Sequence, residues 1–297
     1  MSASVTVVEL PRLASRRGVR VVLARLWRDR RASLGLLVLA LAVAAAVSAP
    51  AVAPYDPNAQ SQELLQPPGR RHWLGTDDLG RDLASRIIHG ARISLFVGVV
   101  TVALATVVGV GLGLVSGYYG RWIDMLVMRY IDLQWAFPNF IIAVALVAVF
   151  GTGLENVIVA VTLAFLDDFA RITRGSVLAV REEEFVTAAR AQGASDGRVM
   201  LRHVLPNVAS PIIVQATVSV SYAILAEAGL SFLGLGVKPT TPTWGLILND
   251  ARPFFVSAWW LGIFPGLAIM LIVLSINFVG DGLRDLLDVR EYAELRR

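Results

Sequence analysis

Residues 181–206 read REEEFVTAARAQGASDGRVMLRHVLP, a charged island set between long apolar segments. Its first half, Glu182 to Gln192, is rich in helix formers. It ends at Gly193, the residue type that best tolerates the left-handed conformation after a helix end. Ser195 is placed to cap a second turn, which Pro206 closes. Ala188 and Ala189 give the first helix a low-relief face, suited to a groove on another protein. The island is built to be gripped from the water side, so its meaning depends on what flanks it.

The flanks are those of a membrane protein. Of 297 residues, 56% are hydrophobic and only 17% charged, and the mean hydropathy is +0.63, poor values for a soluble globule. The absence of cysteine excludes disulfides, thiolate nucleophiles and cysteine metal sites. His72, His89 and His203 are too scattered to suggest a ligand cluster, so no metal is expected. Lys238 is the only lysine and stands between Val237 and Pro239. A phosphate-binding P-loop needs Gly-Lys-Ser/Thr, so this chain is not itself a P-loop ATPase.

The apolar pattern predicts an all-α membrane protein with six spans, at about 34–53, 93–115, 131–150, 154–172, 208–235 and 255–279, within a membrane domain of 32–281. Residues 1–31 form an arm with eight arginines. A nucleic-acid arm is the alternative, but the run leads straight into an apolar stretch, so it reads as an anchor obeying the positive-inside rule, with no nucleic-acid partner. Leu34 to Ala53 also resembles a signal peptide's apolar region; the further spans and the long arm favour an uncleaved helix. The arm, the link holding Arg121 and Arg129, the segment 167–207 and the tail 282–297 carry 20 of the 27 basic residues. Both termini and the loop 173–207 are therefore expected in the cytoplasm, and loops 54–92 and 236–254 outside.

Several residues inside this frame invite sharper readings. Gly109, Gly113 and Gly117 recur every four residues and predict a face where two helix backbones approach closely. Pro138 and Asn139 interrupt the third span, as a pathway wall or a structural kink. Glu227 lies in the fifth span, where a charge is costly; it faces protein or water, or relays protons. Asp77, Asp78 and Asp82 lack the spacing of a calcium loop and read as helix-capping turns. Asp167 and Asp168 read as a cytoplasmic helix-end cluster neutralised by Arg171, with a route for cationic cargo as the alternative. Trp244, Trp259 and Trp260 are expected at the membrane interface.

The island resembles the EAA loop of permease subunits of ABC importers, whose pattern is Glu-Ala-Ala, three residues, Gly, nine residues, Ile, one residue, Leu-Pro. Ala188, Ala189, Gly193, Leu205 and Pro206 fall in register, while Thr187 and His203 stand where the family has Glu and Ile. The resemblance extends over roughly residues 25–290: HWLGTDDLGRDLASRIIHGARISL from His72, LAEAGLSFLGLGVKPTTPTWG from Leu225 and GDGLRDLLDVR from Gly280 look like the C-type permease of dipeptide, oligopeptide and nickel importers. The resemblance implies a type I permease fold forming half of a translocation pathway. It implies a homologous B-type permease, two ABC ATPase domains, separate or fused, that bind ATP and Mg, and an extracytoplasmic substrate-binding protein. It also implies a bacterial cell membrane as the location and peptides as cargo, with nickel the alternative. No catalytic residue and no cofactor of its own are expected in this chain. Glu184, Phe185, Ala188, Ala189, Gly193, Leu205 and Pro206 would couple it to the ATPases.

Two rivals come from other classes. A secondary transporter would use Glu227, Asp167 or Asp168 as proton carriers, but the two halves show no convincing inverted repeat. An intramembrane hydrolase would need a motif such as HExxH or GxSxG, which the chain lacks.

Overall fold

A computed structural model describes the backbone of residues 26–294 and the side chains of residues 26–287. Most of the N-terminal arm and the end of the tail, both expected in the cytoplasm, lie outside the described residues. The helices are α1 (Arg30–Val47), α2 (Ala49–Val52), α3 (Leu83–Tyr119), α4 (Arg121–Trp135), α5 (Asn139–Phe150), α6 (Leu154–Val180), α7 (Glu184–Ala191), α8 (Asp196–Val199), α9 (Ala209–Phe232), α10 (Trp244–Ala251) and α11 (Trp260–Glu294). A single π turn, Met200–Val204, continues α8. Among the described residues there is no strand, only an isolated bridge between Thr76 and Asp82.

Among the described residues, four helices are long and apolar enough to cross a membrane: α1, α3, α9 and the Trp260–Leu287 part of α11. The pair α4 and α5 passes the same test together, bent by 93° at its break. Helix α6 has the length, 27 residues or about 40 Å at the usual helical rise, but Asp167, Asp168 and Arg171 interrupt its apolar run.

The helix ends depart from the expected spans for identifiable reasons. The second span lengthens to 37 residues, about 55 Å, well beyond a hydrocarbon core of about 30 Å. It starts at Leu83 because the Asp82 carboxylate accepts from the Ser85 N–H at 2.8 Å and hydroxyl at 2.7 Å. The third span is two helices rather than one, since Pro138 has no N–H to donate and Asn139 opens a new helix. Helix α6 continues to Val180 and absorbs the start of the expected 173–207 loop.

The core is built on α3 against α6. An added Cβ at Gly109 would fall 2.6 Å from the Phe169 Cβ and collide with the Leu166 carbonyl oxygen; at Gly113 it would meet the Thr173 Cβ at 2.8 Å and the Ala170 carbonyl oxygen; at Gly117, the Val177 Cβ at 2.9 Å. The absence of side chains at these three positions sets how closely the two backbones approach. Helix α1 lies on α11, and α9 fills the angle between α3, α6 and α11. Trp244 and Trp260, expected at an interface, are buried instead, their indole N–H groups donating to the carbonyls of Ile87 at 3.1 Å and Thr76 at 3.2 Å. Trp259 is exposed.

Candidate functional site

The island folds as two short helices on either side of a glycine turn, projecting between α6 and α9. Helix α7 closes with a Schellman motif: the Gly193 N–H donates to the Arg190 carbonyl at 2.9 Å and the Ala194 N–H to the Ala189 carbonyl at 3.1 Å. Gly193 has a φ of +80°, and an added Cβ there would meet nothing within 4 Å. Its requirement is conformational, not steric.

The helical period sorts the island's residues into two faces. Val186, Ala189, Val199 and Val204 are buried and anchor the island to the bundle. Glu184, Phe185, Thr187, Ala188, Gln192, Gly193 and Pro206 are exposed, Phe185 at 42%. Ala188 and Ala189, expected to share a docking face, fall on different faces, Ala188 exposed and Ala189 buried, because neighbours on a helix stand about 100° apart. Leu205 is half-buried, packed against the anchoring cluster. Ser195 occupies the N-cap position of α8 without a side-chain hydrogen bond. Of the two positions that depart from the EAA pattern, Thr187 lies on the outward face. The backbone carbonyl of His203 accepts from the Asn207 amide at 2.6 Å.

Within the bundle, Glu227 is fully buried and fully partnered. The Ser94 hydroxyl donates to one carboxylate oxygen at 3.0 Å and the Ser231 hydroxyl to the other at 2.8 Å. Ser94 in turn accepts from the Trp244 N–H at 3.5 Å, so the carboxylate ties α3, α9 and α10 together.

Asp167 has the opposite environment. It lies in the middle of α6, not at a helix end, with no exposure, and among the described residues neither carboxylate oxygen has a hydrogen-bond partner. The nearby N–H groups of Asp167 and Asp168 are spent on helical carbonyls one turn back. Arg171, expected to neutralise the pair, lies close enough for its charge to act on both carboxylates, and its hydrogen bond goes to Asp132 at 2.9 Å, with the guanidinium 4.0 Å over the Trp135 ring. Pro138 and Asn139 form the bend between α4 and α5, with Pro138 exposed and Asn139 half-buried.

The aspartates before α3 form a buried ion network. Asp77 accepts from Arg81 Nε at 2.6 Å and Arg86 Nη1 at 2.5 Å, and both arginines reach Asp250 on α10, at 3.0 and 3.1 Å. Burial and the neighbouring Asp77 charge raise the Asp78 carboxyl above the usual range, against the pull of Arg81. Among the described residues no group of His, Asp or Glu side chains is arranged to hold a metal ion.

Residues 109–291 match the family described as binding-protein-dependent transport system inner membrane component. Residues 19–68 match the N-terminal transmembrane domain of oligopeptide transport permease C. The chain is 45% identical over 270 residues to the dipeptide transport system permease protein DppC of Alkalihalophilus pseudofirmus, covering 91% of this chain and 89% of that one. It is 48% identical over 261 residues to the di/tripeptide transport system permease protein DppC of Pseudomonas aeruginosa, covering 86% of each. It is 44% identical to the glutathione transport system permease protein GsiD of an Escherichia coli strain, over 89% of this chain and 88% of that one. Among solved structures, a chain of the inward-facing MetNI methionine ABC transporter superposes with a TM-score of 0.56 at 19% identity, covering 68% of this chain and 96% of that one. That likeness is one of fold.

Proposed function

The chain belongs to the binding-protein-dependent transport system inner-membrane family, and on that premise we propose that it is the permease subunit of an ATP-driven importer of short peptides. It forms half of a translocation pathway, and a homologous permease forms the other half. Two ATPase domains, which bind ATP and Mg, engage the island from the cytoplasm, and a substrate-binding protein delivers peptide from outside. The chain itself is a non-catalytic, multi-pass subunit of the bacterial cell membrane with both termini cytoplasmic. The names of the dipeptide, di/tripeptide and glutathione relatives support peptides as the cargo class. Six crossings follow if α6 and the bent α4–α5 pair are each counted with the four apolar helices, and an even number keeps both termini on one side.

The observation that carries the reading is the island's division into an anchored and a free face. Val186, Ala189, Val199 and Val204 hold it to the bundle, while Glu184, Phe185 and Ala188 face outward beside a Schellman turn. A short helix fixed from below and bare on top moves as one piece when a partner grips it. It is built to convert nucleotide-dependent closure of two ATPase domains into a change of access in the membrane. Gly193 keeps the second half of the island on the same rigid unit, and Leu205 and Pro206 return the chain to α9.

The test is uptake of labelled dipeptide into proteoliposomes holding the whole complex, with the binding protein outside and ATP inside. Ala188→Asp, on the free face, is expected to leave insertion and assembly intact and to abolish uptake. Normal uptake by this variant would sink the docking assignment. Uptake driven by a proton gradient without ATP would sink the importer reading itself.

A further inference from the structure

Tyr118, in the last turn of α3, joins the island to the membrane bundle. The ring is 7% exposed. Its hydroxyl donates to Asp196 Oδ1 at 2.8 Å and accepts from Arg190 Nε at 3.3 Å, and the Arg190 guanidinium lies 4.9 Å from the ring centre. Arg190 belongs to α7 and Asp196 opens α8, so one phenol holds the helices on both sides of the Gly193 turn. One residue earlier, the Gly117 carbonyl accepts from Arg181 Nη1 at 2.8 Å, where the island leaves α6. The end of α3 is thus bonded to the island at its entrance, its first helix and its second.

What α3 receives there it can deliver far away. Its 37 residues make a rod of about 55 Å, and the glycine seam locks that rod to α6. Its opposite end carries Arg86 and Ser94, the α3 members of the Asp77–Asp250 ion network and the Glu227 cluster. We propose that Tyr118 is a positioning residue of the transport cycle, the joint through which displacement of the island is passed to α3 and so to the far side of the membrane. The inference rests on the reading of the island as the ATPase contact. The polarity of the joint fits this role, because a neutral phenol between a cation and an anion makes two charge-assisted hydrogen bonds and remains neutral itself.

The experiment measures dipeptide uptake and ATP hydrolysis together, in proteoliposomes containing the full complex and its binding protein. Tyr118→Phe keeps the ring and removes both hydrogen bonds; Asp196→Asn acts from the exposed side of the same joint. Each is expected to lower the peptide moved per ATP by about tenfold, the factor at the low end for one charge-assisted hydrogen bond biasing a two-state equilibrium. The double variant should fall no further than either single one. A wild-type ratio for Tyr118→Phe, or losses that multiply in the double variant, overturns the proposal. If Tyr118→Phe does not assemble, Asp196→Asn with Arg190→Lys carries the same cycle, and a wild-type ratio in both overturns it equally. Ala188→Asp run in parallel separates the two claims. Normal uptake there removes the docking reading, whereas lost uptake there with an unaffected Tyr118→Phe removes only the joint.

Discussion

Helix α6 is held on two sides by opposite means. Toward α3 the contact is steric: Gly109, Gly113 and Gly117 receive Leu166, Phe169, Ala170, Thr173 and Val177 with no space to spare. Toward α4 it is polar, although α5 packs its buried Ala143 and Val147 in the same apolar cluster as α6. Arg174 binds Asp124 through Nε at 2.5 Å and Nη2 at 2.6 Å, Arg171 reaches Asp132 and covers Trp135, and the Gln134 amide donates to the Leu163 carbonyl at 2.6 Å. Asp167 of α6 is buried, and among the described residues its carboxylate has no hydrogen-bond partner. A seam of interlocked backbones moves as a unit or not at all, while ion pairs between half-exposed side chains exchange with water at small cost. The contrast makes α3 and α6 one rigid body and α4 the part free to shift against it.

The largest effect is expected from the steric seam. Gly113→Leu drives a side chain into the Ala170 carbonyl and the Thr173 side chain. A loss of about 3 kcal/mol is expected, the upper end for overpacking a filled core. The readout is the yield and apparent melting temperature of the detergent-solubilised complex. A wild-type melting temperature would mean that α3 and α6 slide, and would remove the rigid body from the comparison.

Next comes the stronger ion pair of the polar seam. Arg174→Ala strands the Asp124 carboxylate, which is only 19% exposed, and should cost about 1–3 kcal/mol, the range for leaving a buried polar group without its partner. The double-mutant cycle with Asp124→Ala isolates the pair. Additive losses would show that the two side chains are neighbours without coupling.

How far the sequence foretells these parts depends on the distance over which each is determined. The island is readable because its signals are local: Gly193 supplies the left-handed turn, and Leu205 and Pro206 mark its end. The glycine stripe is readable for the same reason, its four-residue period being a property of one helix. Ala188 and Ala189 read as a pair, although the i, i+3 spacing of Val186 and Ala189 already carries the anchoring face. Other features depend on the tertiary fold. Asp167 has no exposure, and that depends on which helices pack around α6 rather than on its own charged stretch. Tyr118 meets a partner 78 positions away and has no signal beyond being a lone aromatic pair with Tyr119. Trp244 reads as interfacial from its proline-rich surroundings, yet α10 tucks it against Ile87. These burials are decided by which helices meet, and a single stretch of sequence does not encode that.

Asp167 sets the third expectation, and its sign is the reverse of the first two. A buried carboxylate without donors destabilises the state that buries it, so Asp167→Asn should raise the apparent melting temperature or leave it unchanged, and Asp167→Leu should raise it further, corresponding to about 1 kcal/mol or more of added stability. Glu227→Leu, removing a carboxylate that two serines satisfy, should lower it. A fall for Asp167→Leu as large as that for Glu227→Leu would mean that Asp167 has a partner in the assembled complex, supplied by another chain.

The smallest effect is expected at Arg171. Its side chain is 41% exposed and that of Asp132 56%, so the pair is screened by water and contributes at most about 1 kcal/mol, with the contact over Trp135 adding a similar amount at best. Arg171→Ala should therefore shift the melting temperature far less than Arg174→Ala, and the gap between them should widen as salt rises, because the exposed pair is screened more than the partly buried one. Equal losses at low salt would put Arg171 in contact with something besides Asp132. Asp167, one helical turn away and without a partner, is the group it would then be neutralising, and Arg171→Ala with Asp167→Asn would recover the stability that Arg171→Ala alone loses.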